Sequence, residues 1–251
     1  MGLPVLLSIP HGGTRVPDWL RPKLCLSEAA MFSDGDPFTR EIYDLGDAVE
    51  AVVAADVVRS VLDLNRAADD LPPQNPDGVV KSHTCQGIQV YREPLDEQQI
   101  SDLIHSVYRP YHDRIARLLQ TPGLQLGLDC HSMLPEGPPI GPDLGKARPD
   151  ICLSDGRGLA CAPEMTERFA RCLRQAFQLP DTAVTVNQPF SGGTITRTYG
   201  GKPIPWLQVE LNRRLYLEEP PFGDDGPRVR PGAIAKLNRC FHQALLLMFG
   251  N

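Results

Sequence analysis

Two histidines stand where chemistry is cheapest to build. His11, in Ser8-Ile9-Pro10-His11-Gly12-Gly13, and His131, in Leu128-Asp129-Cys130-His131-Ser132, each follow a short apolar run and are flanked by glycine or small residues. An imidazole in such a place serves as a hydrogen-bonding group, a base or a metal ligand. Two of them with a carboxylate favour metal. Asp36, in Ser33-Asp34-Gly35-Asp36-Pro37-Phe38, is the best third ligand, and Asp34 is its rival. Either aspartate also suits the cap of the helix expected to follow. Two neutral imidazoles and one carboxylate form the ligand set of a hydrolytic zinc site, which keeps one position open for water.

Zinc brings the pKa of its bound water from ~15.7 towards ~7, and a nearby carboxylate can then take the proton and pass it to the leaving group. Glu210, in Gln208-Val209-Glu210-Leu211-Asn212, suits that role, because a glutamate inside an apolar strand is costly to bury without a partner. The alternative for it is an ion pair with Arg213, Arg214 or Arg66. Arg66 closes the cluster Asp63-Leu64-Asn65-Arg66 and is assigned to a substrate carboxylate or to the oxyanion formed at an attacked carbonyl. Asn65, Asn187, Gly192, Gly193 and Arg197 are assigned to the substrate wall. The loop Asn187-Gln188-Pro189-Phe190-Ser191-Gly192-Gly193 follows another apolar run, and its glycines let backbone approach a ligand. Asp129, two residues before His131, is placed to hold that ring through its second nitrogen for as long as the strand continues. Cys130 and His131 are strand neighbours that point to opposite faces, which disfavours a thiolate–imidazole pair. Ser191 lacks the leading glycine of a G-x-S-x-G nucleophile turn.

Short apolar runs alternate along the chain with segments of helical period, the pattern of a layered α/β fold. Strands are predicted at Val5–Ile9, Val57–Leu64, Gly87–Tyr91, Gln125–Asp129, Asp150–Ser154, Ala183–Val186 and Trp206–Leu211. Helices are predicted at Phe38–Ala54, Glu97–Gln120, Pro163–Phe177 and Pro231–Phe249, with Pro110 kinking or breaking the second. Prolines and glycines crowd Leu71–Gly78 and Pro135–Pro149, which read as surface loops around a scaffold. One domain spanning residues 1–251 is expected. In such folds the carboxyl edge of the strands is where ligands bind, and the polar clusters fall at predicted strand ends or just inside them.

With 41% hydrophobic and 22% charged residues, the 251-residue chain has the apolar content for a sizeable core, which excludes a disordered polymer. The formal charge of -6 gives no basic excess to neutralise a phosphate backbone, so nucleic acid is excluded as a partner while a small anionic substrate facing local arginines is not. The seven cysteines show no paired framework and read as reduced, cytosolic thiols. No apolar run approaches the ~20 residues of a membrane span. Oligomeric state is not legible.

The clusters, with Tyr108-Arg109-Pro110-Tyr111-His112 and Arg148-Pro149-Asp150-Ile151, occur in an order that resembles the N-formylglutamate amidohydrolase family nearly end to end. The resemblance implies a three-layer α/β/α fold with a mixed, mostly parallel central sheet, similar to zinc exopeptidases and aspartoacylase-like deacylases. It implies one zinc ion, with His11 and His131 as ligands, Glu210 as general base and Arg66 on the substrate. The implied reaction is hydrolysis of N-formyl-L-glutamate to formate and glutamate, a step of histidine breakdown in the cytoplasm. The family usually carries a further acidic residue shortly after the position of Asp36, where this chain has Thr39-Arg40. Readings left open beside it are a carboxypeptidase or aspartoacylase-like deacylase with another N-acyl substrate, and a binding protein that keeps the cleft without turnover.

Overall fold

The computed structural model describes residues 2–139 and 143–250, so residues 140–142 of the predicted loop Pro135–Pro149 lie outside the described residues. Its centre is a six-stranded sheet made of β1 (Leu3–Ile9), β2 (Val49–Ala54), β3 (Leu126–Met133), β4 (Ile151–Ser154), β5 (Val184–Val186) and β6 (Trp206–Asn212), in the order β2-β1-β3-β6-β4-β5. All neighbouring pairs are parallel except β4 with β6, so the sheet is mixed and mostly parallel.

Alternation along the central strands divides the interior into two layers. Val5, Leu7 and Ile9 of β1, Leu128 and Cys130 of β3, and Leu207, Val209 and Leu211 of β6 pack on one face, against α2 (Thr39–Tyr43), α5 (Pro163–Phe177) and α7 (Ala233–Phe249). The other face carries Leu6 and Trp206, packed with α3 (Glu97–Leu103), α4 (Arg109–Leu118) and α6 (Thr194–Tyr199). Helices therefore cover both sides of the sheet, as expected of a three-layer fold. That second face changes character along its length. Leu6, Gly127 and Trp206 near the strand starts give way to Ser8, Asp129, His131, Gln208 and Glu210, all buried.

The strand predictions for β1, β4, β5 and β6 hold to within a residue or two, and β3 runs four residues past its expected end, through Met133. Others are corrected. The helix expected over Phe38–Ala54 stops at Tyr43: Gly46, with φ 52, turns the chain, and the β-branched run after it becomes the edge strand β2. Val57–Leu64 is not a strand. Its Val57, Val58, Val61, Leu62 and Leu64 are buried in irregular backbone with a single bridge from Arg15 to Val57, since apolar content marks burial without fixing extension. Gly87–Tyr91 holds only isolated bridges. A hairpin of β7 (Leu217–Gly223) and β8 (Gly226–Val229) was hidden by its prolines.

The helix through Pro110 neither stops nor breaks. A π-helical segment, Ile104–Tyr108, separates α3 from α4, and the Arg109 N–H reaches back to the Ile104 carbonyl, so the missing donor of Pro110 falls where the ladder has already changed step. Among the described residues, no helix is long and apolar enough to cross a membrane.

Core and site meet at Tyr43. Its ring packs edge-on against Phe241 at 4.7 Å, and its hydroxyl donates to the His131 carbonyl at 2.9 Å. Phe241→Ala is expected to lower the free energy of unfolding by ~3–5 kcal/mol in a urea titration. A loss below about 1 kcal/mol would mean that the helical layer repacks around the void.

Candidate active site

Three ligand-type atoms converge. His11 Nδ1 lies 3.3 Å from Asp36 Oδ2, His131 Nδ1 lies 3.0 Å from the same oxygen, and the two Nδ1 atoms are 3.1 Å apart. Each ring is fixed from behind. His11 Nε2 is 2.7 Å from Asp63 Oδ1, and His131 Nε2 is 2.9 Å from Asp129 Oδ1. A carboxylate accepts only, so each Nε2 donates its proton there, and the two Nδ1 atoms are left to face one another across Asp36 Oδ2. Two Nδ1 atoms and a carboxylate oxygen in such close contact call for positive charge among them, a proton or a metal ion. Ligand atoms held tetrahedrally at 2.0–2.1 Å from zinc sit roughly 3.3 Å apart, close to what is found. The residues fit a divalent metal.

Backbone explains the convergence. His11 follows β1 directly, and its carbonyl accepts the Asp36 N–H at 3.1 Å, which draws the Asp34–Phe38 turn over the end of that strand. Asp36 Oδ2 also accepts the Ser132 N–H at 3.2 Å, while Arg213 donates to Oδ1 at 3.0 Å. His131 and Glu210 are register partners on β3 and β6 and project from the same face, inside the strands. The site thus lies over the face of the sheet and not only at its carboxyl edge.

Burial and charge set the protonation states. For Asp36 burial resists ionisation, but hydrogen bonds and charge from His11 and His131 outweigh it and hold the carboxyl well below the usual range. Asp63 is depressed in the same way, against its burial, by His11 and Arg59. Glu210 goes the other way. Burial pushes it up to about 7, only partly opposed by the His131 charge, which suits a group that must both take and give a proton near neutrality. Among the described residues it forms no ion pair with Arg66, Arg213 or Arg214. Cys130 is buried on the opposite face from His131 with its thiol pushed up by burial, which removes it as a nucleophile.

A cavity of about 450 Å³ opens over this cluster. His11, Asp36, His131, Glu210, Asn65, Arg66, Gly192, Gly193 and Arg197 all line it. A profile of the N-formylglutamate amidohydrolase family matches residues 3–217. The chain belongs to that family. It is 33% identical over 228 residues to the N-formylglutamate deformylase of Pseudomonas putida, covering 86% of this chain and 83% of that protein. The N-formylglutamate deformylase of Pseudomonas aeruginosa is 31% identical over 229 residues, with the same coverage of 86% and 83%. In fold the chain is similar to the crystal structure of N-formylglutamate amidohydrolase from Ralstonia eutropha JMP134, with a TM-score of 0.80 at 22% identity over 99% of this chain and 92% of that one. A protein of Agrobacterium tumefaciens superposes with a TM-score of 0.66 at 19% identity, covering 96% and 88%.

In this family member the candidate residues divide by what they touch. Asp36, not its rival Asp34, joins the histidines; Asp34 turns away to the fully buried Lys81, with Oδ2 3.1 Å from Nζ. Asn65 is occupied inside the protein. Its Nδ2 donates to Asp129 Oδ2 at 3.0 Å and lies 2.9 Å from His131 Nε2, while its Oδ1 accepts the Ile195 N–H at 2.8 Å. Gly193 packs on that amide so closely that a Cβ would sit 2.4 Å from Asn65 Nδ2. Asn187 is not among the residues lining the cavity, and its Nδ2 donates to Asp155 at 2.7 Å. Arg66 reaches Asp77 at 3.0 Å, and among the described residues the Arg197 guanidinium donates to the Ser191 hydroxyl alone, at 3.4 Å.

Sequence reasoning gave no role to Asp63, Arg59, Gln208, Lys81 or Arg148. Asp63 carried a signal, an acid ending an apolar run two residues before Asn65. Arg59 braces Asp63 at 3.0 Å, and Arg148 forks onto Asp143 at 2.8 and 3.0 Å while lying 4.9 Å over the Phe190 ring. Arg59 also donates to the Asp34 carbonyl at 3.0 Å, and that contact, like the one of Arg148 on Phe190, depends on tertiary approach. Behind the cavity, Lys81 links Asp34 to Asp77, with no side-chain exposure. Lys81→Met leaves the buried Asp34 without its ion pair and Asp77 with Arg66 alone, and a loss of ~3–5 kcal/mol is expected in urea unfolding at pH 7. Lys81 and Arg59 hold Asp34 below 3.8 against its burial, so its contribution is present above that pH and lost as pH falls through the lowered value. The wild type should therefore lose more stability than the variant as pH drops below about 4. Equal losses would show that Asp34 is not depressed by Lys81.

Proposed function

We propose that this chain is a metal-dependent amidohydrolase that hydrolyses N-formyl-L-glutamate to formate and L-glutamate. The observation that carries the reading is the pair of facing Nδ1 atoms, 3.1 Å apart, with Asp36 Oδ2 within 3.3 Å of both and each opposite ring nitrogen held by a carboxylate. Imidazole donors suit zinc better than magnesium. His11, Asp36 and His131 would hold the ion, which supplies a water of lowered pKa and polarises the acyl oxygen. The names and 31–33% identities of the two Pseudomonas relatives support the substrate.

The chain's own residues perform the proton transfers and the recognition. Glu210 accepts a proton as the C–O bond to the formyl carbon forms, then delivers it to the amide nitrogen as the C–N bond breaks, so the amine leaves neutral. Arg66 and Arg197, both on the cavity wall, receive the two carboxylates of the substrate. Arg197 has no carboxylate partner among the described residues and is free to take one. Arg66 exchanges or shares its bond to Asp77. The Asp63 and Asp129 carboxylates keep both imidazoles in the tautomer that exposes Nδ1.

Zinc-loaded protein is expected to release formate from N-formyl-L-glutamate, to lose that activity on dialysis against a chelator and to regain it with zinc. A zinc-loaded sample that releases no formate or amine from any N-acyl amino acid would remove the enzyme assignment. Glu210→Gln is expected to retain zinc by elemental analysis while kcat falls ~10²–10⁴-fold. Unchanged turnover would take Glu210 out of the reaction.

A further inference from the structure

Gln208 stands two residues before Glu210 on β6, buried, on the same face of the sheet, and it belongs to neither the ligand cluster nor the arginine set. Both ends of its amide are used. Nε2 donates to Glu210 Oε1 at 2.8 Å, and Oε1 accepts the Gly193 N–H at 2.6 Å. This orientation is forced, because turning the amide over would set its NH2 against the Gly193 donor and its oxygen against a carboxylate. Among side chains of this length, only glutamine is a donor at one end and an acceptor at the other without carrying charge. Asparagine is one methylene short, ionised glutamate has no donor, and methionine has neither.

We propose that Gln208 is a positioning residue that fixes the Glu210 carboxylate and ties it to the glycine loop on which the substrate rests. This rests on the reading of Glu210 as proton carrier. With Oε1 held by Gln208, Oε2 makes no hydrogen bond to the protein among the described residues and is the oxygen left to move a proton. The same loop meets the ligand cluster by a second route, since Gly193 packs on the Asn65 amide, which bonds Asp129 and abuts His131. Base and ligand shell are thereby registered to one short stretch of backbone, and a substrate seated against Gly192 and Gly193 is registered to both. Such positioning changes rate without changing the metal site, and a misplacement of about 1 Å costs on the order of 10²-fold.

The test compares Q208M, E210Q and the double variant with wild type, all zinc-loaded, on N-formyl-L-glutamate. Q208M is expected to bind zinc as wild type does and to lose ~10²-fold in kcat with KM changed less than about threefold. In the E210Q background the same substitution should cost less than about twofold, because the group it positions is gone. Loss of zinc from Q208M, a kcat within twofold of wild type, or a full additional loss in the E210Q background would each overturn the proposal. If wild type itself hydrolyses no N-acyl amino acid, the reading of Glu210 as proton carrier fails. A crystal structure of Q208M then decides the positioning separately. A rotated Glu210 carboxylate and a shifted Gly193, with His11, Asp36 and His131 in place, support it, and an unmoved Glu210 overturns it.

Discussion

Everything at this site depends on two carboxylates that do not line up with the ligand atoms at all. Asp63 and Asp129 are almost without solvent exposure, at 1% and 0%, and each accepts from the far nitrogen of a histidine. Without them the imidazoles would be free to take either tautomer, and the two Nδ1 atoms would have no reason to face one another. Placing them there is expensive, because an isolated buried carboxylate is among the least tolerated groups in a protein interior. The chain answers with further donors. Asp63 receives Arg59 and the Asn65 N–H, and Asp129 receives Asn65 and Thr196, so the remaining oxygens are satisfied and the rings are locked. The acidic groups Asp36, Asp63, Asp129 and Glu210 are then gathered around one point, with Arg213, Arg59 and Arg66 as nearby cations. A divalent ion is the species that such an arrangement stabilises best.

The sheet explains how one small region carries so many polar groups. In a parallel sheet covered on both faces, strands usually read as continuous apolar runs. Here the face toward α3, α4 and α6 is apolar at the strand starts and polar from Ser8, Asp129 and Gln208 onward, and the transition occurs at the same level on three adjacent strands because they are in parallel register. Ser8 bonds the Tyr111 hydroxyl at 2.8 Å, so even its polarity is absorbed by the helix above. Tyr108 donates to the Arg66 carbonyl at 2.8 Å, and His112 Nε2 lies 3.0 Å from the Leu64 carbonyl. The helical layer thus satisfies the backbone of an irregular segment that no strand supports.

This division also explains what could be read in advance. His11, His131 and Glu210 were legible because each breaks an apolar run at a place where burial of a polar group demands a reason. Asp36 against Asp34 was not, since both lie in one turn and only the bond from the Asp36 N–H to the His11 carbonyl decides which side chain faces inward. The fold class followed from alternation of apolar runs and helical periods, yet Val57–Leu64 was misread because an apolar segment buried under a helix has the same composition as a strand. Asn187 drew attention by its place before two glycines. Its φ of 57 and its bonds to Asp155 show a residue that shapes the loop, and its side chain is absent from the cavity wall.

The residues that sequence passed over share a property. Asp63, Gln208, Arg59 and Lys81 act on other side chains, so their meaning exists only once distant segments are brought together. Lys81 is the extreme case. A lysine with no side-chain exposure, bonded to Asp34 behind the ligand turn and to Asp77 beside Arg66, spans the two loops that form one wall of the cavity. Its ammonium is compact and donates to several oxygens at once, which lets it join carboxylates approaching from different directions. A neutral residue there would leave those loops to repel one another, and the cavity wall would depend on solvent to separate them. The wall of the cavity over Glu210 is therefore held partly by charges buried behind it.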